Sequence, residues 1–311
     1  MLLNYGILST SSIAPRFLAA LRESGTGQAI ALSSRDLDKA HQLAAQWQIP
    51  TAYGSHEALL ADKRINIVYI SCINSAHYTW AKAALEAGKH VICEKPCTTT
   101  AAQTRELFAL AKKKGLFLME AQKMLFLPAI CSLRQHIENG ALGEITMVEL
   151  SHSFAASYNN WMYEPSSGGP LYSSGIYAVQ LLQWLFGPLG QIAGHGSFLE
   201  NGVAWQYLLT GKTESGVLFS FKNSTRGILD NTARIYGTKG WAELPEYWKA
   251  RKLLLHTDTL HEENHPCEHE LIYEVSHIAD CLSRGLLTSP VVTEALSTGG
   301  ISSLETVQWQ G

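Results

Sequence analysis

Alternating strand and helix patterns in residues 1–122 constrain the fold more than any other feature of this chain. Short, continuously apolar segments are typical of strands that are buried on both faces. Amphipathic segments between them are typical of helices that cover a parallel sheet. The strand patterns span residues 5–8, 29–32, 65–73, 90–93 and 116–119, and the helix patterns span residues 13–23, 36–47, 76–87 and 99–114.

The pattern changes after Pro128. Strand patterns with short Gly-containing turns follow one another, which indicates an antiparallel sheet. We therefore predict an α/β domain over 1–122 and an α+β domain with an open, mostly antiparallel sheet over 123–311. The strand patterns span 145–154, 206–209, 217–221, 233–236, 241–244 and 253–256, and helices are expected at 130–138, 171–186 and 270–284, the last two covering one sheet face.

Charge and composition exclude several classes of partner. The chain has 24 Lys+Arg and 27 Asp+Glu, a net charge of −3, which predicts no nucleic-acid partner. No apolar run approaches the roughly 18 residues of a membrane span. The N-terminus lacks the basic region of a signal peptide, and six scattered cysteines without a CxxC pair indicate reduced thiols, so we expect a cytoplasmic protein.

The segment between the first strand and the first helix is the candidate phosphate-binding loop. Dinucleotide sites use G-x-G-x-x-G here, because backbone N–H groups at a helix N-terminus must approach a pyrophosphate. This chain has Ser9, Ser11 and Ala14 at those positions. Serine hydroxyls can donate to phosphate, and Ser12 can cap the helix; an ordinary capped helix start is the alternative. The candidate cofactor contacts are Ser9, Thr10, Ser11, Ser12 and Ile13.

The end of the second strand indicates which dinucleotide is preferred. NAD sites usually place an acid there for the ribose 2′-hydroxyl, whereas this chain has Ser34 and Arg35. A hydroxyl and a guanidinium suit a 2′-phosphate. We therefore predict that NADP is preferred over NAD, the alternative being a solvated arginine at a helix start.

Several motifs together carry a family resemblance. The segments 73–77 (Ile-Asn-Ser-Ala-His), 87–91 (Ala-Gly-Lys-His-Val) and 94–96 (Glu-Lys-Pro) resemble the glucose-fructose oxidoreductase/inositol dehydrogenase family, Gfo/Idh/MocA. The resemblance continues through 119–121, 168–171, 175–177 and 236–240, and is strongest to the dihydrodiol-dehydrogenase-like branch, which has Tyr at position 177.

The resemblance implies an N-terminal Rossmann domain and hydride transfer between NAD(P) and a carbinol carbon of a sugar, polyol or diol. Lys95 matches the family's catalytic lysine and Tyr177 the general acid of the branch. An ammonium group can stabilise a developing alkoxide and favour an ionised phenol nearby. Pro96 restricts the direction of Lys95 or allows a cis bond. Further cofactor contacts are predicted at Cys72, Ile73, Asn74, His77, Glu94, Lys95, Gln122 and Trp161, with helix capping as the alternative for His77.

A substrate site is predicted at Tyr158, Trp161, Ser173 and Tyr177. Aromatic faces suit the stacking of a sugar or ring, although loop packing explains them equally well. Ser173 stands where the family usually has Asp, and the phosphate loop lacks two glycines. These departures motivate an alternative function, a non-catalytic NADP-binding sensor or regulator on the same fold.

Two further expectations concern metal and assembly. His261-Glu262-Glu263-Asn264-His265 matches the HExxH zinc signature, but Pro266 disfavours the necessary helix, so we predict a solvated loop and no metal. Charged residues make up only 16% of the chain, below the roughly 25% of typical domains. The resemblance supplies an open sheet face, and we expect a homodimer or homotetramer through the C-terminal sheet.

Overall fold

The computed structural model describes residues 3–157 and 160–310, and the chain divides into two compact units. The first comprises Met1–Gln122 and His269–Ser297, and the second comprises Lys123–Glu268 and Thr298–Gly311. The segment 270–284, which the sequence places over the antiparallel sheet, thus belongs to the first unit.

The first unit is built on a six-stranded parallel sheet with the order β3-β2-β1-β4-β5-β6. This order and the covering helices confirm the predicted Rossmann-type α/β fold. The elements are β1 (Leu3–Leu8), α1 (Ala14–Ser24), β2 (Gly27–Ser33), α2 (Leu37–Trp47), β3 (Thr51–Tyr53), α3 (His56–Ala61), β4 (Ile67–Ile70), α4 (His77–Glu86), β5 (His90–Glu94), α5 (Ala101–Lys114) and β6 (Leu118–Ala121).

Local sequence explains most of these boundaries. Helix α1 has Pro15 in its first turn, where no N–H is needed, and ends at Gly25 with φ +62°. Asp36 caps α2 by accepting the Lys39 N–H at 3.2 Å. Strand β3 and helix α3 were not predicted, because three and six residues are too few for a periodic pattern.

The second unit contains a nine-stranded sheet with the order β14-β13-β12-β11-β7-β10-β9-β8-β15. Its pairs are antiparallel except β7–β10 and β8–β15, so the predicted open, mostly antiparallel sheet is confirmed. The elements are α6 (Pro128–Glu138), β7 (Ile145–Ser153), α7 (Gly169–Ser173), α8 (Gly175–Phe186), β8 (Leu189–Phe198), β9 (Ala204–Thr213), β10 (Leu218–Ser224), β11 (Thr232–Gly237), β12 (Gly240–Pro245), β13 (Lys252–His256), β14 (Leu260–Asn264) and β15 (Gln308–Trp309); α9 (Ile272–Ser283) lies in the first unit, and α10 (Glu294–Glu305) follows it.

Two details differ from the sequence expectation. The helix predicted over 171–186 is two helices, α7 and α8, which meet at Ser174. Strand β8 was not predicted, because its sequence (Leu-Gly-Gln-Ile-Ala-Gly-His-Gly-Ser-Phe) contains three glycines, which are poor strand formers.

The HExxH-like segment is the edge strand β14 and not the solvated loop that we expected, although its non-helical conformation is as predicted. The carboxylate of Glu263 accepts the Ser132 hydroxyl at 2.5 Å and lies 2.7 Å from His136 Nε2 on α6. Although burial raises it, hydrogen bonds from Ser132, His136 and His265 lower the pKa of Glu263 to about 2. Within 3–157 and 160–310, no cluster of His, Cys, Asp and Glu has a metal-binding arrangement.

Within residues 3–157 and 160–310, no helix is both long and apolar enough to cross a membrane.

Candidate active site

The predicted cofactor contacts of the first unit lie at one edge of its sheet. They follow the carboxyl ends of five parallel strands, where ligands bind in open α/β sheets. The positions are Ser9, Thr10, Ser11, Ser12 and Ile13 after β1, Ser34 and Arg35 after β2, Cys72, Ile73, Asn74 and His77 after β4, Glu94 and Lys95 at the end of β5, and Gln122 after β6.

The loop after β1 presents unused backbone donors. Among the described residues, the N–H groups of residues 10–13 bond to no protein acceptor. The N-cap of α1 is Ile13, without a side-chain cap, so the predicted capping role of Ser12 is wrong. Consecutive free N–H groups at a helix N-terminus form an anion-binding site, which fits the pyrophosphate of a dinucleotide.

Ser9 occupies a backbone conformation that favours glycine. Its φ is +102°, and its N–H donates to the carbonyl of Ser33 at 3.0 Å. The chain therefore makes the sharp turn of a phosphate loop without the glycine that usually permits it. A serine held in this region costs roughly 1–3 kcal/mol.

Hydroxyl groups connect this loop to the neighbouring strand ends. The Ser11 hydroxyl donates to Ser71 Oγ at 2.8 Å, and the Thr10 hydroxyl donates to Ser34 Oγ at 3.4 Å. Ser71 and Ser34 follow β4 and β2, the two neighbours of β1 in the sheet. These side chains therefore brace the loop on both sides and leave its backbone N–H groups for a ligand.

Arg35 is an exposed cation next to this edge. Burial raises the pKa of the Cys72 thiol to about 12, and the charge of Arg35 opposes this rise. Burial is the main cause that lowers the pKa of His56, and the charge of Arg35 lowers it further. The Ser34 hydroxyl oxygen accepts the Asp36 N–H at 3.2 Å, so the segment after β2 has a defined conformation beside this cation.

The turn after β5 carries the candidate catalytic lysine. Lys95 is partly exposed and joined to Pro96 by a cis peptide bond, one of the two geometries that the sequence allows. Glu94 accepts the Tyr69 hydroxyl at 2.6 Å and the Lys95 N–H at 3.2 Å. Phe17 of α1 stacks on Tyr69 at 3.8 Å. The Glu94 carboxylate thus orients the backbone of the turn.

Two other buried side chains bond to the same turn. Glu120, on β6, accepts the Cys97 N–H at 2.9 Å. The ring of His77 lies 2.8 Å from the Pro96 oxygen through Nδ1 and 3.0 Å from the Cys72 oxygen through Nε2. Both nitrogens face backbone carbonyls, and His77 does not cap α4, so the capping role that the sequence offered as an alternative is wrong.

Tyr177 lies in the first turn of α8 in the second unit. It is 8% exposed, and its N–H donates to the Ser174 carbonyl at 3.1 Å. The Ser174 hydroxyl donates to the Pro170 oxygen and accepts Asn223 Nδ2, both at 2.7 Å. Burial raises the pKa of Tyr247 well above its usual value, and the charges of Tyr207 and Tyr177 add to this rise.

The other predicted substrate residues lie around α7. Ser173 is its last residue, and Trp161, which is 36% exposed, begins a short 3₁₀ helix that packs against α7. Gly168, the N-cap of α7, and Gly169, its first residue, have left-handed φ values of +77° and +67°. Tyr158 lies outside the described residues.

Sequence reasoning did not find Tyr69, Ser71 and Glu120 as supporting residues of this edge. Their side chains bond to groups that are 23 to 60 positions away. No local sequence pattern predicts such pairs. The one available signal was position, because each lies on or directly after a strand that ends at this edge.

Comparison with known proteins gives consistent results along the chain. A family model described as an oxidoreductase family with an NAD-binding Rossmann fold matches residues 3–122, and one described as a GFO/IDH/MocA C-terminal domain matches residues 130–243. Mouse trans-1,2-dihydrobenzene-1,2-diol dehydrogenase is 34% identical over 316 residues, which cover 96% of this chain and 93% of the mouse protein.

Two solved structures share the fold over nearly their whole length. The 3-ketoreductase KijD10 from Actinomadura kijaniata, in complex with NADP and TDP-benzene, has a TM-score of 0.90 and 22% identity, covering 99% of each chain. A levoglucosan dehydrogenase in complex with NADH and levoglucosan has a TM-score of 0.89 and 19% identity, covering 98% of this chain and 96% of the other.

The conformation of Ser9 makes a prediction about stability. Replacing Ser9 with Gly relieves the strain of φ +102° but adds backbone entropy to the unfolded chain, so the free energy of unfolding should rise by about 1 kcal/mol. Urea denaturation of the wild type and Ser9→Gly measures this change. Ser12→Gly is the matched control, because Ser12 has no positive φ and gains no relief. Equal stability changes in the two variants would contradict the prediction.

Proposed function

Because the chain belongs to the GFO/IDH/MocA oxidoreductase family and is an NAD(P)-dependent oxidoreductase that acts on CH–OH groups, we propose that it transfers hydride between NADP and a carbinol carbon of a sugar, polyol or dihydrodiol. We infer the substrate class from the 34% identity with the mouse diol dehydrogenase over almost the whole of both chains.

The two units have different tasks in this proposal. Residues 1–122 bind the dinucleotide, with the free N–H groups of residues 10–13 holding its pyrophosphate. The second unit, which comprises Lys123–Glu268 and Thr298–Gly311, supplies the substrate-binding and oligomerisation parts. The nicotinamide, when bound, accepts or donates the hydride.

Lys95 and Tyr177 are the proposed catalytic residues. The Lys95 ammonium orients the substrate oxygen and stabilises the negative charge that develops on it. The Tyr177 hydroxyl gives or takes the carbinol proton. The rigid turn around Lys95, with Glu94 bonded to Tyr69, supports the first role, because an electrostatic stabiliser acts best when it needs no reorganisation.

Trp161, Tyr158 and Ser173 are the proposed substrate contacts. The exposed indole of Trp161 offers a face on which a ring or sugar can stack. Ser173 replaces an acid in the family pattern, so its neutral hydroxyl favours a substrate that is oriented by uncharged hydrogen bonds.

Replacing the proposed catalytic residues tests the mechanism. Lys95→Ala should lower kcat/KM about 100-fold or more, since one preorganised charge stabiliser is lost. Tyr177→Phe should lower it at least about 100-fold, since the proton donor is lost. The assay follows the absorbance of reduced nicotinamide with trans-1,2-dihydrobenzene-1,2-diol and with levoglucosan, and titration of NADP⁺ verifies that each variant is folded.

Two matched variants control for general damage. Tyr172→Phe removes another partly buried hydroxyl five residues before Tyr177, and Lys63→Ala removes an exposed cation before β4. Both should keep kcat/KM within about twofold of the wild type. A Lys95→Ala enzyme with near-normal kcat/KM refutes the catalytic assignment. Tight NADP binding without turnover of either substrate would instead favour the sensor or regulator.

The preference for NADP rests on Ser34 and Arg35. We propose that the exposed Arg35 guanidinium pairs with the 2′-phosphate and that the Ser34 hydroxyl bonds to it. The solved relatives bind different dinucleotides, one NADP and the other NADH, so the preference depends on this chain's own residues.

Arg35→Ala should weaken the NADP⁺ Kd by about 10- to 100-fold, the range expected for a charge-assisted bond, and leave the NAD⁺ Kd within about twofold. Fluorescence titration with both dinucleotides measures the ratio. Lys63→Ala controls for net charge, because Lys63 lies before β4 and thus at the opposite edge of the sheet. An unchanged ratio in Arg35→Ala means that the 2′-phosphate is not bound there.

We also propose a homodimer or homotetramer that forms through the outer face of the second unit's sheet. Met147 pairs with Leu218 on one side and Tyr236 on the other, and Trp241 pairs with Tyr236 and stacks on His256 at 3.7 Å. These side chains form an apolar band across five adjacent strands. Leu218 is 49% and Met147 41% exposed, and such a contiguous band is typical of a protein interface.

Leu218→Glu should convert the oligomer to a monomer, because a carboxylate in the band would be desolvated at the interface. Light scattering after size exclusion measures the mass. Ile228→Glu is the matched control, because Ile228 is 97% exposed and lies in the turn after β10, outside the band. A monomeric wild type, or equal dissociation of both variants, contradicts the proposal.

We further propose that the enzyme works in the cytoplasm. The support is that all six cysteines, including the buried Cys93, Cys97 and Cys281, are free thiols, as expected in a reducing compartment.

A further inference from the structure

The ring of His77 joins two loops of the first unit. Strands β4 and β5 pair in parallel, with Ile70 opposite Cys93, so the segments that follow them leave the sheet side by side. His77 begins α4 and is 1% exposed. Its ring lies between the Cys72 carbonyl, after β4, and the Pro96 carbonyl, after β5.

We infer that His77 is a positioning residue for Lys95, which it holds by fastening the carbonyl of Pro96 to the loop after β4. This inference rests on the proposed function of Lys95 and deepens it. The Pro96 carbonyl belongs to the residue directly after Lys95, and it lies 2.8 Å from Nδ1. A displacement of this carbonyl therefore moves the backbone that carries the lysine.

The contacts of the ring distinguish its two nitrogens. Burial lowers the pKa of His77, and the charge of Lys95 lowers it further. The two carbonyls and Glu94 favour the charged ring but do not outweigh the burial. The neutral ring has one N–H and can donate to one carbonyl. The shorter contact is to Pro96, so we assign the N–H to Nδ1 and the fastening function to that bond.

Two amide variants separate the two contacts. Asn places its amide nitrogen near the position of Nδ1, and Gln places its own near the position of Nε2. His77→Asn therefore keeps the bond to Pro96, His77→Gln can donate only at the Cys72 carbonyl, and His77→Leu can donate to neither. His90→Leu is the matched control, because His90 is a half-buried histidine at the opposite end of β5, where Nδ1 accepts the Phe117 N–H.

The expected result is a loss of kcat with little change in NADP⁺ Kd. His77→Leu and His77→Gln should lower kcat about 30-fold, because a small misplacement of a catalytic group is costly, whereas His77→Asn should stay within about threefold of the wild type. The primary deuterium isotope effect on kcat should rise in the two slow variants. The assay uses whichever of the diol and levoglucosan is turned over. His90→Leu should lose thermal stability but keep kcat.

A readout that needs no turnover complements the kinetics. Crystal structures should show residues 94–97 displaced in His77→Leu and His77→Gln and unmoved in His77→Asn. Equal loss of kcat and of thermal stability in all three variants, or an unmoved turn in His77→Leu, overturns the inference.

Parallel measurement of Lys95→Ala separates the role of His77 from the proposed function of Lys95. If it is inactive while His77→Leu keeps kcat, only the role of His77 fails; if it is active, the proposed function of Lys95 fails.

Discussion

The backbone of residues 94–97 is held by hydrogen bonds to side chains from three different elements, and the candidate chemistry depends on this rigidity. The Glu94 carboxylate accepts the Lys95 N–H and the Tyr69 hydroxyl, Glu120 accepts the Cys97 N–H, and His77 faces the Pro96 carbonyl. The direct partners of this backbone come from β5, β6 and α4, and Tyr69 on β4 holds the Glu94 carboxylate. If the turn were flexible, part of the binding energy would be lost in ordering the backbone of the lysine. A lysine on a fixed turn is preorganised for a developing charge.

The loop after β1 illustrates a second constraint, the need to present backbone N–H groups to an anion. Other loops of this kind use glycines for the sharp turn. Here Ser9 adopts a positive φ, while Ser11 and Thr10 bond to the strand ends on either side. The N–H groups of the loop therefore stay free, as they do in glycine loops. Here the loop conformation depends on the strained backbone of Ser9 and on the hydrogen bonds of the Ser11 and Thr10 hydroxyls. Ser71 and Ser34 are the partners that make the bracing possible.

Much of the fold could be predicted from the sequence, because periodicity and turn residues are local signals. The alternation in residues 1–122 predicts the parallel sheet, and the strand ends predict the edge at which Ser9, Arg35 and Lys95 lie. The missed features depend on contacts between distant positions. Three of them can be seen only in the folded chain: the bond between Tyr69 and Glu94, the strand conformation of β14 beside α6, and the assignment of α9 to the first unit. Short or glycine-rich elements such as β3 and β8 carry too little pattern to be recognised.

In the proposed reaction, a carbinol carbon of a sugar or diol exchanges hydride with the nicotinamide. Mass spectrometry of the reduced cofactor tests this directly, after incubation of the wild-type enzyme and NADP⁺ with trans-1,2-dihydrobenzene-1,2-diol or levoglucosan deuterated at the carbinol carbons. We expect NADPH that carries one deuterium from at least one of the two substrates, and deuterium transfer that is about 100-fold slower or more when Lys95 is replaced by Ala. Cofactor that binds the enzyme but is never reduced, or NADPH that forms without deuterium, would contradict it.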